Sequence, residues 1–138
     1  MGARRLVATA TMLVAAVGTV EMTAAGPSFG ATAGGAKPTR LVLTVAKGES
    51  TTPVRRRASL TCRPAGGSHK LARDACSALA KVGGDFARLQ VTGGACTMQY
   101  DPVTVTAVGL WKGKRVDYRK TYGNACSLST TTGPVFSL

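Results

Sequence analysis

The sequence predicts a small α+β domain, mostly sheet, that is exported and cross-linked. Three observations carry this. Leu41–Ala46, Val103–Ala107 and Val116–Tyr122 alternate in the two-residue rhythm of β-strands. Between the first two of these, Leu71, Ala75, Leu79 and Val82 recur at helical spacing. Four cysteines lie downstream of a basic start and an apolar run, the arrangement of a chain bound for an oxidising compartment. With 138 residues the chain holds one small domain at most.

The amino-terminal segment is set aside first. Met1-Gly2-Ala3-Arg4-Arg5 is basic, and Leu6 to Val20 carries no charge before Glu21 ends the run. That run is shorter than the roughly 20 residues of a comfortable membrane span, so residues 1–33 read as a secretory signal peptide and no membrane anchor is expected. Small residues at Ala31 and Ala33 favour cleavage after Ala33; cleavage after Ala25 is the alternative. Residues 34–40 read as a flexible amino-terminal arm, and residues 41–138 as the folded domain.

Export bears on the cysteines. An even set of four in a small secreted domain implies two disulfides, and sequence alone permits three pairings. The separations of 14, 20 and 30 residues fit no common zinc pattern. His69 is the single histidine, so neither a metal site nor a cofactor is expected.

Taken in order, Leu41 to Ala46 is a strand with apolar residues on both faces, and Lys47 to Pro53 is a loop by its turn residues. Arg55-Arg56-Arg57 leads into a second strand, Ala58–Arg63, and reads as a solvated loop edge more than a phosphate grip. Ser68 can cap the helix whose apolar face ends at Val82, Gly83 can terminate it in the left-handed conformation, and His69 should face solvent at its start. Phe86 to Thr92 reads as a strand. Val103 to Trp111 and Val116 to Tyr122 form a hairpin across the Lys112-Gly113-Lys114 turn, with Gly109 a candidate bulge and Trp111 a packing residue. Ser129 to Thr132 is a polar loop, and Val135 to Leu138 closes the sheet.

Catalytic constellations are missing. A serine hydrolase needs a base and a group to orient it, and His69 would have to act alone. From Gly34 onward the acids are Glu49, Asp74, Asp85, Asp101 and Asp117, each near a turn or an element end and none in a recognisable pair. No enzymatic activity is expected.

One stretch reads differently. Ala95-Cys96-Thr97-Met98-Gln99-Tyr100-Asp101-Pro102 sets an extended segment between a half-cystine and a rigid proline. Such a segment can pair with a protease cleft as an added strand, with Met98 as the anchoring side chain. Its plainer alternative is a strand start beside a structural disulfide.

A resemblance covers Leu41 to Leu138. Leu41-Val42-Leu43-Thr44-Val45, Leu60-Thr61-Cys62, Ala75-Cys76, Val82-Gly83-Gly84-Asp85, Cys96 to Pro102, Trp111 to Val116, Asn124-Ala125-Cys126 and Val135-Phe136 occur in the order and spacing of the Streptomyces subtilisin inhibitor family of secreted serine-protease inhibitors. The chain is similar to that family throughout its folded part. The resemblance implies Met98 as the primary specificity residue and Met98-Gln99 as the reactive bond, with Ala95, Cys96, Thr97, Tyr100 and Asp101 touching the protease. It implies disulfides Cys62–Cys76 and Cys96–Cys126. It also implies an antiparallel sheet of about five strands with two α-helices on one face, and a homodimer formed through the sheets. The implied partners are subtilisin-like serine proteases, with chymotrypsin-like or trypsin-like ones as further targets. Thr97 and Gln99 depart from the family, whose members often carry proline and an aliphatic residue there.

Charge is the remaining signal. From Gly34 onward 16 Lys and Arg face five Asp and Glu, a net of +11. This supports a rival reading, a secreted basic module that binds nucleic acid or an anionic cell-surface polymer. Aromatic residues make up only 5% of the chain, which leaves few platforms for stacking bases, so no specific nucleic acid is expected.

Overall fold

The strands Thr39–Lys47 (β1), Val54–Cys62 (β2), Val103–Trp111 (β3) and Lys114–Tyr122 (β4) form one antiparallel sheet in the order β2-β1-β3-β4. The computed structural model describes residues 35–91 and 93–138. The expected signal peptide at 1–33 lies outside the described residues. Two helices, Ala72–Lys81 (α1) and Ala125–Thr132 (α2), pack on the sheet face lined by Leu41, Leu43, Leu60 and Val105. β1 lies between β2 and β3; Leu41 and Leu43 face the helices, and Val42 lies half-buried beside Val108 on the other face.

Alternation places the core. Leu41, Leu43, Ala58, Leu60, Val105 and Ala107 are buried beneath the helices, together with Leu79, Phe86 and Val135. Phe86 stacks on Tyr118 with ring centroids 5.3 Å apart. On the open face Val108 and Leu110 stay exposed.

The sheet has four strands, not about five. Residues from Phe86 do not extend into a strand; Phe86–Arg88 is a 3₁₀ turn capped by the Asp85 side chain, which accepts from the Ala87 N–H. Phe86 and Leu89 are both buried, three residues apart, a helical-turn spacing that a strand cannot satisfy. The closing strand is likewise replaced by a 3₁₀ turn at Gly133–Phe136, where the adjacent Val135 and Phe136 both point inward. The polar run 129–132 is the second half of α2. Its Ser and Thr residues favour helix poorly, but Asn124 caps it and Leu128 and Thr132 bury one face, so packing overrides propensity.

Other details shift. β1 starts at Thr39, inside the expected arm, and β2 starts at Val54, so the three arginines lie on an exposed edge strand, where charge discourages edge-to-edge pairing. Gly109 makes no bulge: the β3 register runs through it unbroken, and a Cβ there would meet the Arg40 carbonyl oxygen at 2.1 Å. Ser68 does not cap α1, which begins after Leu71 without a side-chain cap; its hydroxyl accepts from the Ser59 N–H. His69 is buried, with Nε2 3.0 Å from the Val135 carbonyl and Nδ1 accepting from the Leu71 N–H. It is a structural pin between β2, α1 and the carboxyl-terminal turn. Leu71 is exposed rather than part of the buried face.

The carboxyl end of α1 follows the expectation. Gly83 has φ 65°, its N–H reaches the Ala80 carbonyl, and the Gly84 N–H reaches Leu79, the paired bonds of a Schellman cap. The Cys62–Cys76 disulfide ties this helix to β2.

Candidate functional site

Residues 93–102 run without regular structure from the 3₁₀ turn to β3. Their conformation is held from outside. At the upstream end Cys96 is bonded to Cys126 in the first turn of α2, with Cα atoms 5.8 Å apart. At the downstream end the Pro102 carbonyl accepts from the Gly48 N–H at 2.7 Å, and the Asp101 N–H donates to the Gly123 carbonyl at 2.8 Å. Between these anchors Met98 projects into solvent, 96% exposed, flanked by exposed Thr97 and Gln99.

Asn124 organises the centre. Its Oδ1 accepts from the Ser127 N–H at 2.8 Å and caps α2, while its Nδ2 donates to the carbonyls of Thr97 and Gln99, each at 3.0 Å. One side-chain amide thus fixes the backbone on both sides of Met98. The helix cap fixes the amide in turn, so the loop inherits the rigidity of α2.

The end of β1 and the loop after it prop the far side. Lys47 Nζ lies 2.5 Å from Asp101 Oδ2, with both side chains more than half exposed, so the pair steers geometry more than stability. The Tyr100 hydroxyl donates to Glu49 Oε1, and Arg119 Nη2 donates to the Glu49 carbonyl at 3.2 Å. The hydrogen bond to Glu49 raises the Tyr100 pKa above its ordinary 10.0, with lesser help from desolvation and the Glu49 charge.

Ala95, Cys96, Thr97, Met98, Gln99, Tyr100 and Asp101 therefore share one exposed segment. Asn124, Gly48 and Glu49 escaped the sequence reading as site residues. Asn124 carried a cap signature ahead of Ala125-Cys126, but its reach of 27 residues back to Thr97 leaves no local trace. Among the described residues no group of three or more His, Cys, Asp or Glu side chains gathers to hold a metal.

The domain thus presents an exposed segment braced from outside by a disulfide and a helix-capping amide. The family model described as "Subtilisin inhibitor-like" matches residues 37–124, and the chain belongs to that family. It is 50% identical over 105 residues to subtilisin inhibitor-like protein 5 of Streptomyces fradiae, covering 72% of this chain and 97% of that protein. Kexstatin-1 of Streptomyces platensis is 42% identical over 129 residues, covering 88% and 89%. Among solved structures, Streptomyces caespitosus sermetstatin in complex with Bacillus licheniformis subtilisin matches with TM-score 0.61 and 34% identity, over 73% of this chain and 99% of that one.

Proposed function

We propose that this chain inhibits subtilisin-like serine endopeptidases by offering residues 95–101 as a substrate that is not released, with Met98-Gln99 as the reactive bond. One observation carries the reading: a 96% exposed Met98 stands between two carbonyls clamped by the same Asn124 amide. The likeness to sermetstatin, which was solved with a subtilisin, supports it.

The segment lies in the protease cleft as an added strand, and the pliable Met98 thioether fills an apolar specificity pocket. The protease serine oxygen attacks the Met98 carbonyl carbon. The bond to the Gln99 nitrogen breaks, and the proton taken from the serine passes to that nitrogen. In an ordinary substrate the new amine diffuses away. Here the Cys96–Cys126 disulfide links the fragments on the two sides of the cut, and Asn124 holds the Gln99 carbonyl. The amine stays beside the acyl carbon, and religation outruns hydrolysis. Methionine suits subtilisin-like and some chymotrypsin-like proteases, whereas a trypsin-like protease selects Lys or Arg.

The inhibitor acts outside the secreting cell, a reading supported by Arg4-Arg5, the apolar run to Val20 and the two disulfides. It pairs as a homodimer through the open sheet face, supported by exposed Val108 and Leu110 there; sedimentation gives the test. The function itself is tested by titrating subtilisin with purified, oxidised protein and mapping any cut by mass spectrometry. Stoichiometric inhibition with a single slow cut at Met98-Gln99 is expected. Rapid digestion at that bond with undiminished enzyme activity refutes the reading.

A further inference from the structure

The reactive segment enters β3 at Val103, which pairs with Lys47, so it occupies one end of the sheet. The other end, where β1 and β4 begin and β2 and β3 finish, is strongly basic. Lys37, Arg40, Arg63, Lys112, Lys114 and Arg115 are all exposed there. The register divides them: Arg40 and Arg115 both flank Leu110 on the open face, whereas Lys37, Arg63 and Lys112 gather on the helix side beside Trp111 and α1. Gly113 donates to the Pro38 carbonyl at 2.9 Å, which docks the turn carrying Lys112 against the segment carrying Lys37. The single ion pair among the described residues, Lys47–Asp101, lies at the opposite end. The nearest acid on the strands is Asp117, two positions along β4 from Arg115.

Between these segments is a cleft of about 530 Å³. Lys37, Arg63 and Lys112 line it from three separate stretches of chain, and among the described residues no acidic side chain does. Arg63 and Lys112 have φ of 72° and 45°, the two non-glycine residues with positive φ among those described. A cation therefore sits at each point where glycine or asparagine is the low-cost choice. The Lys112 ammonium is further held 5.7 Å from the centroid of the Trp111 ring.

We infer that this basic end is a second binding surface, for a flexible phosphate-chain polymer at the cell surface, and that it holds the inhibitor in place while the reactive segment at the far end remains open to a protease. Charge complementarity names the partner as a polyanion. The cleft's single aromatic, Trp111, is only 4% exposed, so no ring face is offered to a nucleobase. Repeating phosphate without bases fits what is present, because closely spaced phosphates release counterions when several Lys and Arg side chains engage them together.

The test uses the oxidised protein with inorganic polyphosphate as probe, followed by fluorescence anisotropy across a salt series. With about three contacts, affinity is expected to fall on the order of twentyfold between about 50 and about 200 mM salt. The triple variant Lys37→Gln/Arg63→Gln/Lys112→Gln should bind at least about tenfold more weakly with a shallower salt slope. The charge-matched triple Arg55→Gln/Arg56→Gln/Arg57→Gln should bind nearly as the parent does. Equal losses in the two triples mean diffuse charge and overturn the site. Equal affinity for a single-stranded oligonucleotide, or tighter binding to anionic lipid vesicles, overturns the choice of partner. Polyphosphate at saturation should leave subtilisin titration unchanged; competition between the two overturns the separation of the ends.

Discussion

Met98 stands in solvent because the residues around it, not Met98 itself, make the contacts. Replacing it should alter which protease binds without altering the fold. Met98→Lys is expected to lose at least about tenfold in potency against subtilisin and to gain inhibition of trypsin, read by parallel active-site titrations. Asn124 is the reverse case. Asn124→Ala removes a helix cap and two loop bonds, so it should cost about 1–2 kcal/mol in a melting experiment and speed cutting at Met98-Gln99 within the complex. Aspartate at that position is the control, since it keeps the cap and loses the donors. Tyr118 supplies a pH prediction. Burial first, then the Tyr122 hydroxyl and the Asp85 carboxylate, hold its pKa well above the ordinary 10.0. The folded state keeps a proton that the unfolded chain gives up, so this contribution is complete below the unfolded value and is lost as pH rises through the folded one. Melting temperature should therefore fall progressively above pH of about 10, and the share of tyrosinate absorbance that Tyr118→Phe removes should appear only as the protein unfolds.

At the level of elements, some were legible in the sequence and others were not, for definite reasons. β1, the β3–β4 hairpin and α1 announce themselves because their core residues follow one period and their ends carry local signals, such as Gly83 and Lys112-Gly113. Both turn residues of the hairpin have positive φ, the type I′ pattern that matches strand twist. α2 hides because a Ser-Thr-Thr-Thr run looks like a loop until Asn124 and the sheet beneath it are in place. The stretch from Phe86 misleads because Leu89 and Val91 alternate as in a strand, whereas the pair that is buried, Phe86 and Leu89, has the spacing of a helical turn. Gly84 shows a constraint that only the assembled fold reveals. With φ 82° and a Cβ position 2.1 Å from the Trp111 ring, it admits no side chain. Gly84→Ala should cost on the order of 2–3 kcal/mol by chemical denaturation, whereas Gly93→Ala, which meets nothing within 4 Å, should cost under about 1 kcal/mol.

For the whole molecule, the two disulfides divide the labour. Cys62–Cys76 joins α1 to β2 within the core layer, so its removal should lower stability by about 3 kcal/mol and leave inhibition intact wherever the protein stays folded. Cys96–Cys126 joins the exposed segment to α2, so Cys96→Ser/Cys126→Ser should turn the inhibitor into a substrate, read as rising enzyme activity over the incubation. The exposed segment was legible in the sequence because its residues are contiguous. The bracing from Gly48, Glu49 and Asn124 was not legible, because it comes from two parts of the chain far from the segment in sequence. The packing of Trp111 against Gly84 has one more consequence. It is the chain's lone indole, and it sits at the end of the sheet away from Met98. The protein thus carries a built-in optical gauge of one pole: ultraviolet emission from this ring should register occupants of the basic cleft while staying blind to events at Met98.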